Sequence, residues 1–316
     1  MCLRPPPEAD PAYDRQARLF GDRGQALLAT LKVGVIGAGG AGLLLLQWLA
    51  HLGVGHLVAV DPDRLETSNL PRVVGSTRWD VHPWLTDAAR PAWVRRLGNR
   101  LATSKVRIAE RVARAANPAG IFEPILGDVI DDAVARRLVD CDYLFLAADT
   151  MQARAVFNAL VHQYLIPGMQ VGVKVPVDRA TGDVGTVFTV ARPVSPDHGC
   201  LWCNGLIDPT RLREEGLSPA ERDAQRYVDD QAVIAPSVIT LNAVAAALAA
   251  DDFLFTVTGL HHPTVTDDYL RFLPRDAQLA HDMPRADPTC LDCGRGQRSR
   301  RAKGDTRSLP TRPAAI

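Results

Sequence analysis

The stretch Val33–Asp63, "VGVIGAGGAGLLLLQWLAHLGVGHLVAVDPD", decides how the chain is read. An apolar run with Val33, Val35 and Ile36 meets a cluster of glycines. A strongly apolar helical stretch follows, predicted over Gly42–Leu52. A second apolar run, Leu57–Val60, closes on Asp61. Gly37, Gly39 and Gly42 form G-x-G-x-x-G between a strand and a helix. The first glycine permits the tight turn, the second lets a phosphate approach the backbone, and the third lets helix and strand pack closely. The helix start offers unpaired N–H groups and partial positive charge to an anion. An acid about twenty residues on, here Asp61, can accept from ribose hydroxyls. Gly40 makes the loop G-A-G-G-A-G. These features predict a bound nucleotide without separating a dinucleotide from ATP.

Outward from this unit the pattern repeats. Strands are expected at Ile121–Ile125 and Tyr143–Ala148, the latter ending at Asp149. Helices are expected at Leu101–Ala116, Asp131–Val139 and Thr150–Tyr164. Strands alternating with helices imply an α/β, Rossmann-like, mostly parallel central sheet. "MQVGVKV" and "GTVFTV" read as two more strands, the sheet is expected to carry an antiparallel extension, and Ser237–Phe255 reads as a buried helix. Residues 75–100 break the rhythm with three tryptophans, Trp79, Trp84 and Trp93, and read as an insertion for partner docking or packing over the core. Residues 1–12 are expected to be a mobile N-terminal segment, 13–295 one domain, 204–235 a polar crossover loop, and 296–316 a disordered basic tail. His261–His262 reads as a turn.

Bulk properties narrow the classes. The chain has 316 residues, 47% of them hydrophobic, with 36 basic and 36 acidic side chains. A balance of zero points to neither nucleic acid nor membrane as partner. No apolar leader and no uninterrupted membrane-length run is evident, so a cytoplasmic protein with reduced thiols is expected. Four of the six cysteines form two C-x-x-C pairs, Cys200/Cys203 and Cys290/Cys293. Two dithiol pairs without thioredoxin-like context predict one closed tetrahedral zinc site of structural type. Cys141 reads as a packed thiol and Cys2 as part of the N-terminal segment.

Beyond the glycine loop come Asp63, then "SNLPR" with Asn69 and Arg72, and then Lys105 opening a helix. Cations near phosphates suit chemistry at an α-phosphate better than hydride transfer, because entering and leaving oxygens carry charge. The run from Tyr13 to Arg72, "YDRQARLFGDRG…SNLPR", resembles the adenylation domain of the ThiF/MoeB family, which also includes ubiquitin-activating enzymes. The stand-alone bacterial type is the nearer likeness. The resemblance extends to about Cys293 and implies several roles. Arg15 would reach the phosphates of a partner subunit, making a homodimer. Asp61 and Asp63 lie at the ribose end, Asn69, Arg72 and Lys105 hold phosphates, Asp149 is linked to magnesium, and Arg154 follows it. The implied reaction joins the C-terminal glycine carboxylate of a ubiquitin-like or sulfur-carrier protein to AMP from ATP, with pyrophosphate leaving. A conjugating enzyme or a sulfurtransferase would act next. Residues 204–289 contain no cysteine, which places the thioester step of ubiquitin-activating members in doubt. The alternatives are a Rossmann-type NAD(P) oxidoreductase and a non-catalytic nucleotide- or ubiquitin-like-binding scaffold.

Overall fold

A computed structural model describes residues 10–178, 181–217, 236–262 and 268–312. Helix α1 (Asp14–Thr30) leads into strand β1 (Lys32–Ile36), helix α2 (Gly40–His51) and strand β2 (His56–Asp61). Two short helices follow, α3 (Pro83–Thr86) and α4 (Ala92–Leu101), and then α5 (Lys105–Ala116). The unit continues through β3 (Ile121–Leu126), α6 (Asp132–Ala135), β4 (Tyr143–Leu146), α7 (Met151–Tyr164) and β5 (Gly168–Lys174). Strand β6 (Phe188–Val194), α8 (Pro209–Gly216), α9 (Ile239–Thr258), β7 (Tyr269–Leu273) and β8 (Gln278–Asp282) complete it.

The strands form one sheet in the order β3-β2-β1-β4-β5-β6-β7-β8. The first five are parallel and the last three antiparallel, so the expected fold class holds. The order reverses between β1 and β4, and a crevice opens at their carboxyl ends, where such sheets bind ligands. The central strands are covered on both faces, which is why they read as unbroken apolar runs rather than alternating ones. On one face α2, α5 and α9 bury Leu43, Leu45, Leu49, Ile108 and Phe253. On the other, α7 buries Val156, Phe157 and Leu160, joined by Ala135 of α6 and by Leu138 just after it.

Helix α9 is long and apolar enough to cross a bilayer by length and composition. In this fold its Ala245, Ala246, Ala249 and Phe253 are fully buried, with Phe253 edge-on to Tyr143 and Phe145. It is a core helix whose small residues let it lie close to α2 and the sheet.

Several boundaries are corrected. The strand expected at "GTVFTV" begins at Phe188 and runs on to Val194. The helix expected over Asp131–Val139 splits into α6 and a 3-10 turn, Arg136–Leu138. The 75–100 insertion holds a 3-10 turn (Arg78–Val81), α3 and α4. Its three tryptophans stay 55–72% exposed, so they do not pack over the core. The hairpin β7–β8 has no counterpart in the sequence reading.

The largest correction concerns residues 296–312, expected to be a disordered tail. They lie against α7. Arg300 pairs with Asp292 at 3.3 Å and donates to Gln163 at 2.6 Å, the Ala302 N–H reaches the His162 carbonyl at 2.9 Å, and Leu309 is buried. The basic residues looked like a solvated run, yet Arg301 and Arg312 also find acids, Asp197 and Asp131. Of the N-terminal segment, residues 1–9 lie outside the described residues, as do 218–235 of the crossover loop and 313–316 of the tail. Residues 10–13 enter through a 3-10 turn capped by the Asp10 side chain.

Candidate functional site

The glycine loop leaves β1 at the switch point. Gly37 has φ +96°, a conformation that disfavours side chains, and its N–H donates to the Val60 carbonyl at 2.8 Å. Gly42, in the first turn of α2, lies so close to the Gly37 turn that a Cβ would stand 1.8 Å from the Gly37 carbonyl oxygen. Gly39 behaves differently: a Cβ there would meet nothing within 4 Å. The loop is therefore closed behind and open in front, and the open side faces away from protein, as a phosphate cradle requires. A Cβ on Gly40 would meet the Asn242 amide nitrogen at 2.3 Å, which explains the fourth glycine.

Asp61 ends β2 and is almost fully buried. One oxygen accepts from the Ala38 N–H at 2.7 Å and the other from the Asp63 N–H at 2.8 Å. Burial is the largest influence on its carboxyl and raises its pKa, against the opposing pull of Lys105 and the two N–H groups. Lys105 opens α5 with its ammonium 2.6 Å from Asp63 and 3.8 Å from Asp61. This explains how the lysine reaches the site despite the long insertion. Both ends of the excursion are zipped together: Leu65 N–H to Thr103 carbonyl at 2.9 Å, Lys105 N–H to Asp63 carbonyl at 3.1 Å, and Arg64 guanidinium to Ala102 carbonyl at 2.7 Å. Within the insertion, Asp80 accepts from Thr77 and from Arg111 on α5, and its pKa falls to about 2 because these donors outweigh the burial that opposes them.

Arg72 is half-buried; its carbonyl lies beside Gly40, and its guanidinium has no acceptor among the described residues. Asn69 is buried, but its side chain is spent on the local turn, accepting from the Glu66 N–H at 3.4 Å and contacting Ser68. Here it shapes the loop that carries Arg72. A cleft of about 630 Å³ opens beside this loop, between Leu70 and Pro71 on one side and Arg78 and Val81 on the other. Asp149 stands exposed just after β4, on the stretch whose Ala147 and Ala148 back the Gly37 turn. Thr150, not Asp149, caps α7, accepting from the Ala153 N–H, so the carboxylate of Asp149 remains available. Arg154 is drawn inward, donating to the Leu206 carbonyl at 2.7 Å; burial is the main influence and lowers its pKa. Arg15 is exposed on α1 and makes no ion pair or hydrogen bond among the described residues.

Two residues were missed. Asn242 is the one buried polar side chain of α9, and a polar residue in an otherwise apolar helix was the available signal. Glu215, on α8, accepts from the Met151 and Gln152 N–H groups at 3.0 and 2.9 Å and so docks the crossover segment on the start of α7 beside Asp149. Nothing in its sequence context marks it.

The four late cysteines converge. Their sulfurs lie within 4.8 Å of one another, and Cys200–Cys203, Cys200–Cys290 and Cys203–Cys293 are 3.5, 3.7 and 3.6 Å apart. A tetrahedron with metal–sulfur bonds of about 2.3 Å has edges of about 3.8 Å, so the donor set fits zinc in both chemistry and size. Cys200 lends its proton to Cys293, which brings Cys293 down to about 6 and pushes Cys200 up. Asn158, fully buried on α7, accepts from the Leu201 N–H and donates to Asp292, tying both cysteine loops to one helix. Cys141 is buried under β1; burial pushes its thiol up to about 12. Cys2 lies outside the described residues.

Together these features define a Rossmann-type nucleotide-binding protein with an anion cradle, an acid at each flanking strand end, a lysine between two carboxylates and a separate four-cysteine metal knot. The chain belongs to the ThiF family, whose model matches residues 13–292. It is 30% identical over 183 residues to the SAMP-activating enzyme E1 of Haloferax volcanii, covering 57% of this chain and 60% of that protein. It is 26% identical over 290 residues to the sulfur carrier protein ThiS adenylyltransferase of Bacillus subtilis, covering 89% of this chain and 71% of the relative. Coverage falls to 14% of the mouse adenylyltransferase and sulfurtransferase MOCS3. In fold it is similar to Escherichia coli MccB with ATP (TM-score 0.62, 19% identity, 91% of this chain and 76% of that one) and to PaaA (TM-score 0.63, 20% identity, 90% and 85%).

Proposed function

We propose that the chain is an ATP-dependent adenylyltransferase that activates the C-terminal glycine carboxylate of a ubiquitin-like or sulfur-carrier protein. One observation carries the reading: a glycine cradle open only in front, flanked by Asp61 and by Lys105 at the switch point of the sheet. The names of the relatives, enzymes that activate SAMP or adenylate ThiS, support the substrate class. A carboxylate oxygen of the substrate attacks the α-phosphorus of ATP. The bond from that phosphorus to the bridging oxygen breaks, and pyrophosphate departs with the electron pair. No side chain need be the nucleophile; the protein aligns two anions and neutralises the charge that develops. Gly39 and the α2 N-terminus receive phosphate, Asp61 the ribose, and Arg72 and Lys105 the charge on the phosphates. Asp149, exposed and uncommitted to the helix cap, would hold the magnesium ion that accompanies the triphosphate. Arg15 would complete the site of a second subunit in a homodimer.

The product is an acyl-adenylate. Cys141 is buried and 204–289 holds no cysteine, and the reading takes a thiol or persulfide of a partner as the acyl acceptor. Zinc in the four-cysteine knot is structural, and the cytoplasm is the compartment that keeps such thiols reduced. An oxidoreductase would need a nicotinamide pocket, and Lys105 between two acids offers no hydride chemistry. The test is Mg-ATP–pyrophosphate exchange in the presence of ubiquitin-fold carrier proteins with C-terminal glycine. Lys105→Ala and Asp149→Ala abolish it in folded protein; undiminished exchange in either variant removes that residue from the site.

A further inference from the structure

Lys105 stands where electrostatics would not put a lysine. It is the first residue of α5, at the positive end of the helix dipole, and no acid lies in the first turn. The Ser104 side chain makes no cap bond there. The ammonium is tolerated because Asp63 grips it twice: the Asp63 carbonyl accepts the Lys105 N–H at 3.1 Å, and the Asp63 carboxylate meets the ammonium at 2.6 Å. The two acids beside it differ. Asp61 is anchored by one backbone N–H on each oxygen and is buried. Asp63 has an exposed side chain, 61% accessible, and Lys105 is its carboxylate's sole partner among the described residues. One is fixed in place and the other is free to let go.

We propose that Asp63 is an internal stand-in for phosphate: a positioning residue that neutralises Lys105 until a nucleotide arrives, and then yields the ammonium to it. This rests on the reading of the cleft as an ATP site and replaces the sequence-based role of Asp63 as a nucleotide ligand. A ligand and a competitor have opposite signatures. Removing a ligand weakens binding; removing a competing anion tightens it.

The experiment measures Mg-ATP affinity by calorimetry for wild type, Asp63→Asn, Lys105→Ala and the double variant, with thermal melts confirming folding. Asp63→Asn tightens Mg-ATP about threefold or more, as expected for losing one partly exposed competing charge. The gain vanishes in the Lys105→Ala background, because the effect runs through that ammonium. Weakened or unchanged affinity overturns the proposal. So does tightening that persists without Lys105, which would mean plain charge repulsion. A second readout needs no nucleotide: limited acetylation with acetic anhydride, followed by mass spectrometry, using Lys174 and Lys303 as internal references. Asp63→Asn raises Lys105 modification severalfold relative to both, and an unchanged ratio overturns the grip itself. If wild type binds no ATP while the acetylation ratio responds as stated, the adenylation reading fails and the ion-pair lock stands.

Discussion

Gly39→Ala and Gly42→Ala separate the two duties of the glycine loop, holding the fold and admitting the ligand. In Gly42→Ala the new methyl lies 1.8 Å from the Gly37 carbonyl oxygen and 2.9 Å from its carbon, whereas real contacts begin near 3.0 Å. Helix or turn must move by about 1.2 Å. Neither is free to do so. The Gly37 turn is held to Val60 and backed by the Ala147–Ala148 main chain, and α2 is wedged between the sheet and α9. Overpacking of this kind costs about 1–3 kcal/mol, offset by about 1 kcal/mol for the better helix former. With backbone rather than a flexible side-chain end in the way, the cost falls at the upper end of that range, and the net loss of about 2 kcal/mol lowers the urea midpoint by roughly 1 M. A displaced loop also loses nucleotide affinity. Gly39 has φ −77° and open space where its Cβ would point, so Gly39→Ala strains nothing. That space is where a phosphate belongs. Urea unfolding followed by tryptophan fluorescence, paired with Mg-ATP calorimetry, should show Gly39→Ala as stable as wild type but at least about tenfold weaker for ATP, and Gly42→Ala impaired in both. A Gly39→Ala protein with wild-type affinity would refute the cradle. A Gly42→Ala protein of full stability would refute the close-packing argument.

Cys200→Ser removes one of four thiolates, and metal content measured by inductively coupled plasma mass spectrometry falls together with the melting temperature; a metal-free variant with unchanged melting would show the knot holds nothing together. Asp80 lowered to about 2 contributes stability that is full above its ordinary value of 3.8 and is lost as pH falls through about 2. Acid titration at constant ionic strength should therefore leave the emission of Trp79, Trp84 and Trp93 on the insertion unchanged down to about pH 4 and alter it between 4 and 2, and Asp80→Asn should remove that transition. Glu215→Ala frees the Met151 and Gln152 N–H groups at the start of α7 and undocks the end of α8; faster hydrogen exchange over 206–217, with the sheet unaffected, is the expected result.

What the sequence disclosed follows from locality. The β1–α2–β2 unit is written in consecutive residues, and the close approach of Gly42 to Gly37 is local, although Gly34, Gly37, Gly40, Gly53 and Gly55 meet residues distant in sequence. The four-cysteine knot was legible because two dithiol pairs have one common geometric solution, even with 90 residues between them. Asn242 and Glu215 were hidden because their partners, Gly40 and the α7 N-terminus, lie far away in sequence. The hairpin β7–β8 was hidden for another reason: Tyr269–Leu273 is only half-buried, so "YLRFL" shows neither an apolar run nor clean alternation. The tail was misjudged because a row of arginines looks solvated until the acids that meet it, Asp292, Asp197 and Asp131, are brought in by the fold.

The zipped base of the excursion between Leu65 and Thr103 has a further consequence. Because the chain leaves and re-enters through adjoining backbone, with Asp80 buckled to α5, the tryptophan-bearing segment behaves as a plug-in module. It could be trimmed, lengthened or exchanged between relatives without shifting the lysine. Changes of sequence or length in this segment thus leave Lys105 in place beside Asp61 and Asp63.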